Sequence, residues 1–317
     1  MKSARVVSLL PSATEIVCAL GRQHQLVGRS HECDFPSGVS SLPVCTRALL
    51  PDGSSQEIDA NVRDLVSRGL SLYDVDVDAL RRLQPDIVLT QDQCQVCAVP
   101  LSDVEEALAE CTGSEVHIVS LAPALLGDVW RDILRVGAAL DARREARQLS
   151  AGLASRVSDV GERTGALSDR PSVVCLEWVD PLMAAGNWIP ELVTIAGGRP
   201  LLGDTGCHSP RIEWSDLLSA DPDVLVVTAC GFDLDRSARE AEALREHPSW
   251  PRLRAVVAGR VFLTDGSAYF NRPGPRLVES LEILAEILHR NRFDFGHRGP
   301  GFRALSGVPE SRGPKPA

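Results

Sequence analysis

The chain has 317 residues, 44% hydrophobic and 24% charged, which gives length for two domains and apolar material for two cores. Its net charge of −10 excludes a nucleic-acid partner, since phosphate recognition needs clustered Lys and Arg, and reads as solubility. No stretch approaches the ~20 apolar residues of a membrane span, so membrane insertion is excluded too.

Met1-Lys2-Ser3-Ala4-Arg5 runs directly into the first predicted strand and leaves no room for an export signal. Nine cysteines, an odd number, do not make a secreted disulfide scaffold. The expected location is therefore cytoplasmic, with the cysteines as thiols or metal ligands.

Short β-branched runs alternate with helical patterns, the signature of βαβ units and mostly parallel sheets. Strands are predicted near residues 5–10, 25–30, 86–90 and 116–120, and again near 172–178, 224–228 and 260–264. Ser12-Ala13-Thr14-Glu15 has capping-box spacing at the start of the first helix. A second helix start is signalled by Asn187, with Pro190 in the first turn.

A strand-helix motif occurs twice. Val6-Val7-Ser8-Leu9-Leu10 leads to Glu15 and Gly21, and Val173-Val174-Cys175-Leu176 leads to Glu191 and Gly197. Each copy is followed by a Pro-Asp that opens a β-branched run, Pro85-Asp86 and Pro222-Asp223. The reading is α/β: two Rossmann-like lobes with mostly parallel sheets joined by a long rigid helix, and a ligand cleft between the lobes. In domain terms this gives an N-terminal lobe at 1–124, a backbone helix at 125–167, a C-terminal lobe at 168–290 and a flexible tail at 291–317. The first copy carries a long excess of sequence between its glycine and its Pro-Asp, and an excess of that kind covers or shapes a site.

His31-Glu32-Cys33-Asp34 follows one strand and Cys94-Gln95-Val96-Cys97 another, so a parallel sheet brings both to its carboxyl edge. Cys33, Cys94, Cys97 and His31 would then form a metal site for zinc or iron. The same cysteines also read as a redox dithiol or as small buried residues. Cys18, Cys111 and Cys175 read as core. In the second lobe Trp178, Trp188, Phe232 and Tyr269-Phe270 gather at strand ends, where rings stack on a flat ligand or close the core. His208 is a loop residue that either binds a metal or is simply solvated.

Ser8-Leu9-Leu10-Pro11-Ser12-Ala13-Thr14-Glu15, Leu83-Gln84-Pro85-Asp86-Ile87-Val88, Ala220-Asp221-Pro222-Asp223-Val224-Leu225 and Arg272-Pro273-Gly274-Pro275-Arg276 resemble the helical-backbone class of substrate-binding proteins, closest to its cobalamin-binding branch. The resemblance spans residues 5 to about 289. It implies a cobalamin, another corrinoid or a metal chelate held between the lobes by Ser30, His31, Glu32, Phe35, Gln91, Asp92, Trp178, Trp188, Tyr269, Asn271 and Arg272. It also implies docking on a permease through acidic positions, here Asp78 and Ser215 with Asp216 beside it. The leading expectation is a cytoplasmic small-molecule binder. Two others stand beside it: a zinc or iron enzyme on the same scaffold, with Glu32, Asp92 or His208 moving protons, and the substrate-binding component of an ABC transporter.

Overall fold

A computed structural model describes residues 3–68, 70–92, 101–111 and 116–305. The chain forms two compact units, the first comprising residues 1–154 with 273–275, the second 155–272 with 276–317.

The first unit is built on β1 (Val6–Ser8), α1 (Pro11–Ala19), β2 (Leu26–Arg29), β3 (Thr46–Ala48), α2 (Ser55–Ser67), β4 (Tyr73–Val75), α3 (Val77–Leu83), β5 (Ile87–Gln91), α4 (Leu101–Cys111), β6 (His117–Leu121) and α5 (Leu126–Ala139). Its main sheet runs β2-β1-β5-β6, all parallel. A parallel sheet covered by helices is buried on both faces, so its central strands read as unbroken apolar runs. Val6, Val7, Val88 and Leu89 are accordingly buried. The excess sequence of this unit holds β3, α2 and β4, with β3 and β4 pairing antiparallel as a separate two-stranded sheet. Ser54 and Glu57 form the capping box that starts α2.

α6 (Arg143–Gly165) carries the chain from the first unit into the second. The second unit continues with β7 (Ser172–Val179), β8 (Leu182–Ala184), α7 (Ile189–Ile195), β9 (Arg199–Pro200), α8 (Trp214–Ala220), β10 (Val224–Val227), α9 (Leu234–Glu246), α10 (Arg254–Val257), β11 (Val261–Thr264), α11 (Leu277–Leu288) and β12 (Phe302–Ala304). Its sheet runs β12-β11-β10-β7-β8, with β9 also on β7. The centre is parallel, while β8 and β12 are antiparallel. Among the described residues no helix is long and apolar enough to cross a membrane.

The repeat seen in the sequence has a physical cause at each end. Gly21 and Gly197 take φ of +69° and +84°, which a residue without Cβ adopts at little cost. Each ends its helix in a Schellman motif: Arg22 N–H donates to Val17 O and Gly21 N–H to Cys18 O, as Gly198 does to Val193 O and Gly197 to Thr194 O. The Pro-Asp pairs are tied down alike. Asp86 Oδ2 accepts the backbone N–H of Arg5 at 2.8 Å, and Asp223 Oδ2 that of Ser172 at 2.8 Å. In both copies a carboxylate satisfies an amide at the start of the adjacent parallel strand. Both pairs are preceded by left-handed residues, Gln84 and Asp221, that close α3 and α8.

Three expectations are corrected. The stretch 125–167 is two helices, because Asp141 takes φ of +52° and the chain turns between α5 and α6. At that turn Ala142 N–H donates to Gly137 O, and the absent Cβ of Gly137 leaves room for Ala146. Ser12–Glu15 is not a capping box: α1 begins at Pro11 with Leu10 as its cap, and the Thr14 hydroxyl donates to Ser8 Oγ instead. The tail from residue 291 is ordered through Leu305 and supplies β12, which covers the edge of β11.

Candidate functional site

The carboxyl edge of the first unit's sheet is shaped by the loop that leaves β2. Ser30 N–H donates to Ser8 O at 2.8 Å and Cys33 N–H to Ser30 O at 3.2 Å, which closes a tight turn. Arg29 clamps that turn from outside, donating to the carbonyls of Ser30 (2.9 Å), His31 (3.4 Å) and Ser40 (3.0 Å). The half-buried His31 is held by Thr46 at the start of β3. Thr46 Oγ1 accepts the His31 backbone N–H at 3.1 Å and stands 2.8 Å from its Nδ1. Tyr73 on β4 sets its ring 5.8 Å from the imidazole. The excess sequence thus supplies both groups that orient His31. Burial, and then the Arg29 guanidinium, hold this imidazole below its ordinary pKa.

The other predicted residues of this unit divide by burial. Ser30 is buried, its Oγ accepting from Thr46 Oγ1 at 3.2 Å and from Glu32 N–H at 3.3 Å. Its hydroxyl belongs to the turn rather than to a ligand surface. Gln91 is buried at the end of β5, whereas Glu32, Phe35 and Asp92 are exposed.

In the second unit Trp178 closes β7 half-buried, its Nε1 donating to Asp180 O at 3.1 Å and its ring 5.0 Å from Phe232. The Arg236 guanidinium stacks 4.0 Å from the Phe232 ring. After β11 the chain makes a π-helical turn, Gly266–Phe270, which Asp265 caps by accepting from Ala268 N–H at 2.7 Å. Single π-turns are frequent at functional sites, and this one positions Tyr269, with Arg276 lying 5.4 Å from its ring. Asn271 is structural, its Nδ2 bonding the carbonyls of Thr228 (2.8 Å) and Gly266 (3.0 Å). Arg272 is buried, with one nitrogen 3.3 Å from Ser267 Oγ. Trp188, expected at the ligand or closing the core, is 5% exposed and its Nε1 donates to Phe270 O at 2.9 Å. His208 is exposed, its Nδ1 3.3 Å from Ser209 O.

The metal centre expected from Cys33, Cys94, Cys97 and His31 finds no support. Cys94 and Cys97 lie outside the described residues, and among the described residues no group of three or more His, Cys, Asp or Glu is placed to hold an ion. Cys33 is a buried thiol whose Sγ lies 3.0 Å from Thr14 Oγ1. Cys175 is likewise buried, and burial pushes its thiol up to about 12. Cys18 is pushed up to about 11, by burial first and then by Glu15. Neutral thiols of this kind are inert. Sequence reasoning missed Thr46 and Tyr73. The only signal was that both lie in the excess segment.

Two α/β units built around parallel strands and linked through a long helix define a substrate-binding fold of the helical-backbone class. Residues 6–268 match the periplasmic binding protein family, and the chain belongs to it. It is 24% identical over 297 residues to the uncharacterized ABC transporter substrate-binding lipoprotein YvrC of Bacillus subtilis, covering 91% of this chain and 81% of that one. To the vitamin B12-binding protein of Photorhabdus laumondii it is 20% identical over 288 residues, 90% of this chain and 88% of the other. The crystal structure of a periplasmic heme binding protein from Pseudomonas aeruginosa superposes with a TM-score of 0.72 at 19% identity, over 96% of this chain and 99% of that one.

Proposed function

We propose that this chain is the substrate-binding protein of an ABC transport system and that its cargo is a metal-centred macrocycle, a corrinoid or a haem. The observation that carries this reading is the likeness, along nine-tenths or more of the chain, to both a B12-binding and a haem-binding protein. Those two ligands share a flat ring system with a metal at its centre. Each unit taken by itself leaves rings at least partly exposed in the loops after its strands, His31 and Phe35 in the first and Trp178 and Tyr269 in the second, and exposed rings can stack on a flat ligand. An enzyme on this scaffold draws no comparable support from these relatives.

Titration of the purified protein with aquocobalamin and, separately, with haemin tests the reading. A ligand present at about a hundredfold its Kd adds ~2.7 kcal/mol to the native state, so one of the two should raise the melting temperature by roughly 5 °C. No shift with either at concentrations on the order of 100 µM rejects the proposal.

A further inference from the structure

We propose that His297 is a positioning residue for the cargo, setting the ring of Tyr269 through a strap, residues 297–303, that braces the loops after β10 and β11. This rests on the functional reading above and adds to it the groups that hold Tyr269. The strap begins with a tight turn, Gly301 N–H donating to His297 O at 2.8 Å, and continues as β12 on β11. Gly301 O accepts the N–H of Asp265, the cap of the π-helical turn, at 3.1 Å. Arg303 reaches the start of α9, donating to Leu234 O at 2.8 Å and pairing with Asp235 at 3.0 Å. The π-helical turn passes this support on: Ser267 N–H donates to Phe232 O at 3.1 Å, and the Phe232 ring is the one beside Trp178. Loops tied at several points lose less freedom when a ligand orders them.

Within the strap His297 is the side chain that meets Tyr269, edge to face with ring centres 6.3 Å apart. Its own place is fixed from α11, where Glu282 pairs with its Nε2 at 3.0 Å and Glu286 accepts its backbone N–H at 3.3 Å. Glu279 acts on it from the same helix, Arg156 of α6 holds Glu282 at 2.7 Å, and Arg276, 5.4 Å from the Tyr269 ring, acts on Glu279. The hydrogen bond to Glu282 comes first among the effects that keep the proton on His297 above its ordinary pKa. A cation is attracted by the quadrupole of an aromatic ring, so the charged imidazole holds Tyr269 more firmly than the neutral one. That hold is full below the unfolded value of 6.5 and weakens as pH rises through the folded value.

Binding of aquocobalamin and of haemin is measured at pH 6 and pH 8 with the wild type, His297→Gln, Tyr269→Ala and the double variant. For the macrocycle that the wild type binds, His297→Gln should weaken binding about two- to fivefold at pH 6 and less at pH 8, the ratio to wild type cancelling any titration of the ligand itself. In the Tyr269→Ala background the same substitution should have no further effect, because the pair is coupled through that ring. A second measurement needs no variant: in the ligand-free wild type the ring resonances of Tyr269, one of two tyrosines in the chain, should shift with pH along the titration of His297. An equal loss in both backgrounds, a ratio that does not change with pH, or Tyr269 resonances that ignore the His297 titration overturns the inference while the functional reading stands. Failure of the wild type to bind either macrocycle removes both.

Discussion

Thr46 is the residue on which the orientation of His31 depends. It is buried, and its hydroxyl serves the backbone N–H and the ring of His31 while donating to Ser30. Thr46→Val preserves shape and removes all three contacts. An unpaired buried polar group costs about 1–3 kcal/mol, so the urea midpoint should fall accordingly. The same hydroxyl sets the ring of the half-buried His31, so macrocycle titration of the variant should show weaker binding than the wild type. Trp188 poses the opposite question. Its buried indole N–H bonds Phe270 O, so Trp188→Phe should lower unfolding stability by ~1–3 kcal/mol and leave macrocycle affinity unchanged. A weaker affinity at undiminished stability would return Trp188 to the ligand surface.

Elements are joined in the second unit by a clamp of charges. Glu282 on α11 accepts from Arg156 of α6 at 2.7 Å and pairs with His297, ahead of β12, at 3.0 Å. Glu286 accepts the backbone N–H of His297 at 3.3 Å. The hydrogen bond to Glu282 raises the pKa of His297 above its ordinary value, with Glu286 and Glu279 adding to the effect and burial opposing it. Burial also opposes ionisation of Glu282, but the hydrogen bonds from His297 and Arg156 outweigh it and hold that carboxyl low. A raised histidine stabilises fully below its unfolded value near 6.5 and loses that contribution as pH rises through its folded value. A lowered glutamate contributes above 4.5 and loses it as pH falls. The clamp is therefore strongest between about pH 4.5 and 6.5. Denaturant unfolding of the wild type should weaken from pH 6 to 8, and His297→Gln should flatten that slope. Equal slopes in the two proteins would exclude His297 as the group responsible.

Across the whole molecule, what could be read in advance was whatever local chemistry determines. The two glycines six residues beyond a glutamate and the two Pro-Asp pairs announced the duplication, because a left-handed helix end and a carboxylate on the neighbouring strand impose those residue types. The break at Asp141 was illegible, since the apolar stripe continues from α5 into α6 and neither Gly nor Pro stands at residues 140–142, where the chain leaves the first helix. Thr46 and Tyr73 escaped for a different reason: nothing in their own sequence neighbourhood says that β3 and β4 face the loop after β2. β12 was hidden in the same way, since only tertiary pairing makes a strand of so short a run. It lies beyond a stretch rich in Gly and Arg, yet Phe302 and Leu305 are buried, the Phe302 ring meets Phe262, and Leu305 N–H donates to Val261 O at 3.0 Å. Ending the chain at Gly296 would remove those two side chains, each stabilising by roughly 1.5–3 kcal/mol when fully buried, and would leave β11 as an unpaired edge. Ordering entropy of the lost segment offsets part of this, so a net loss of about 3 kcal/mol is expected. Hydrogen exchange resolves where it falls: amides of β10 and β11 should lose protection while those of β1 and β5 in the other unit keep theirs. Unchanged protection of β11 would mean that β12 decorates the sheet without stabilising it.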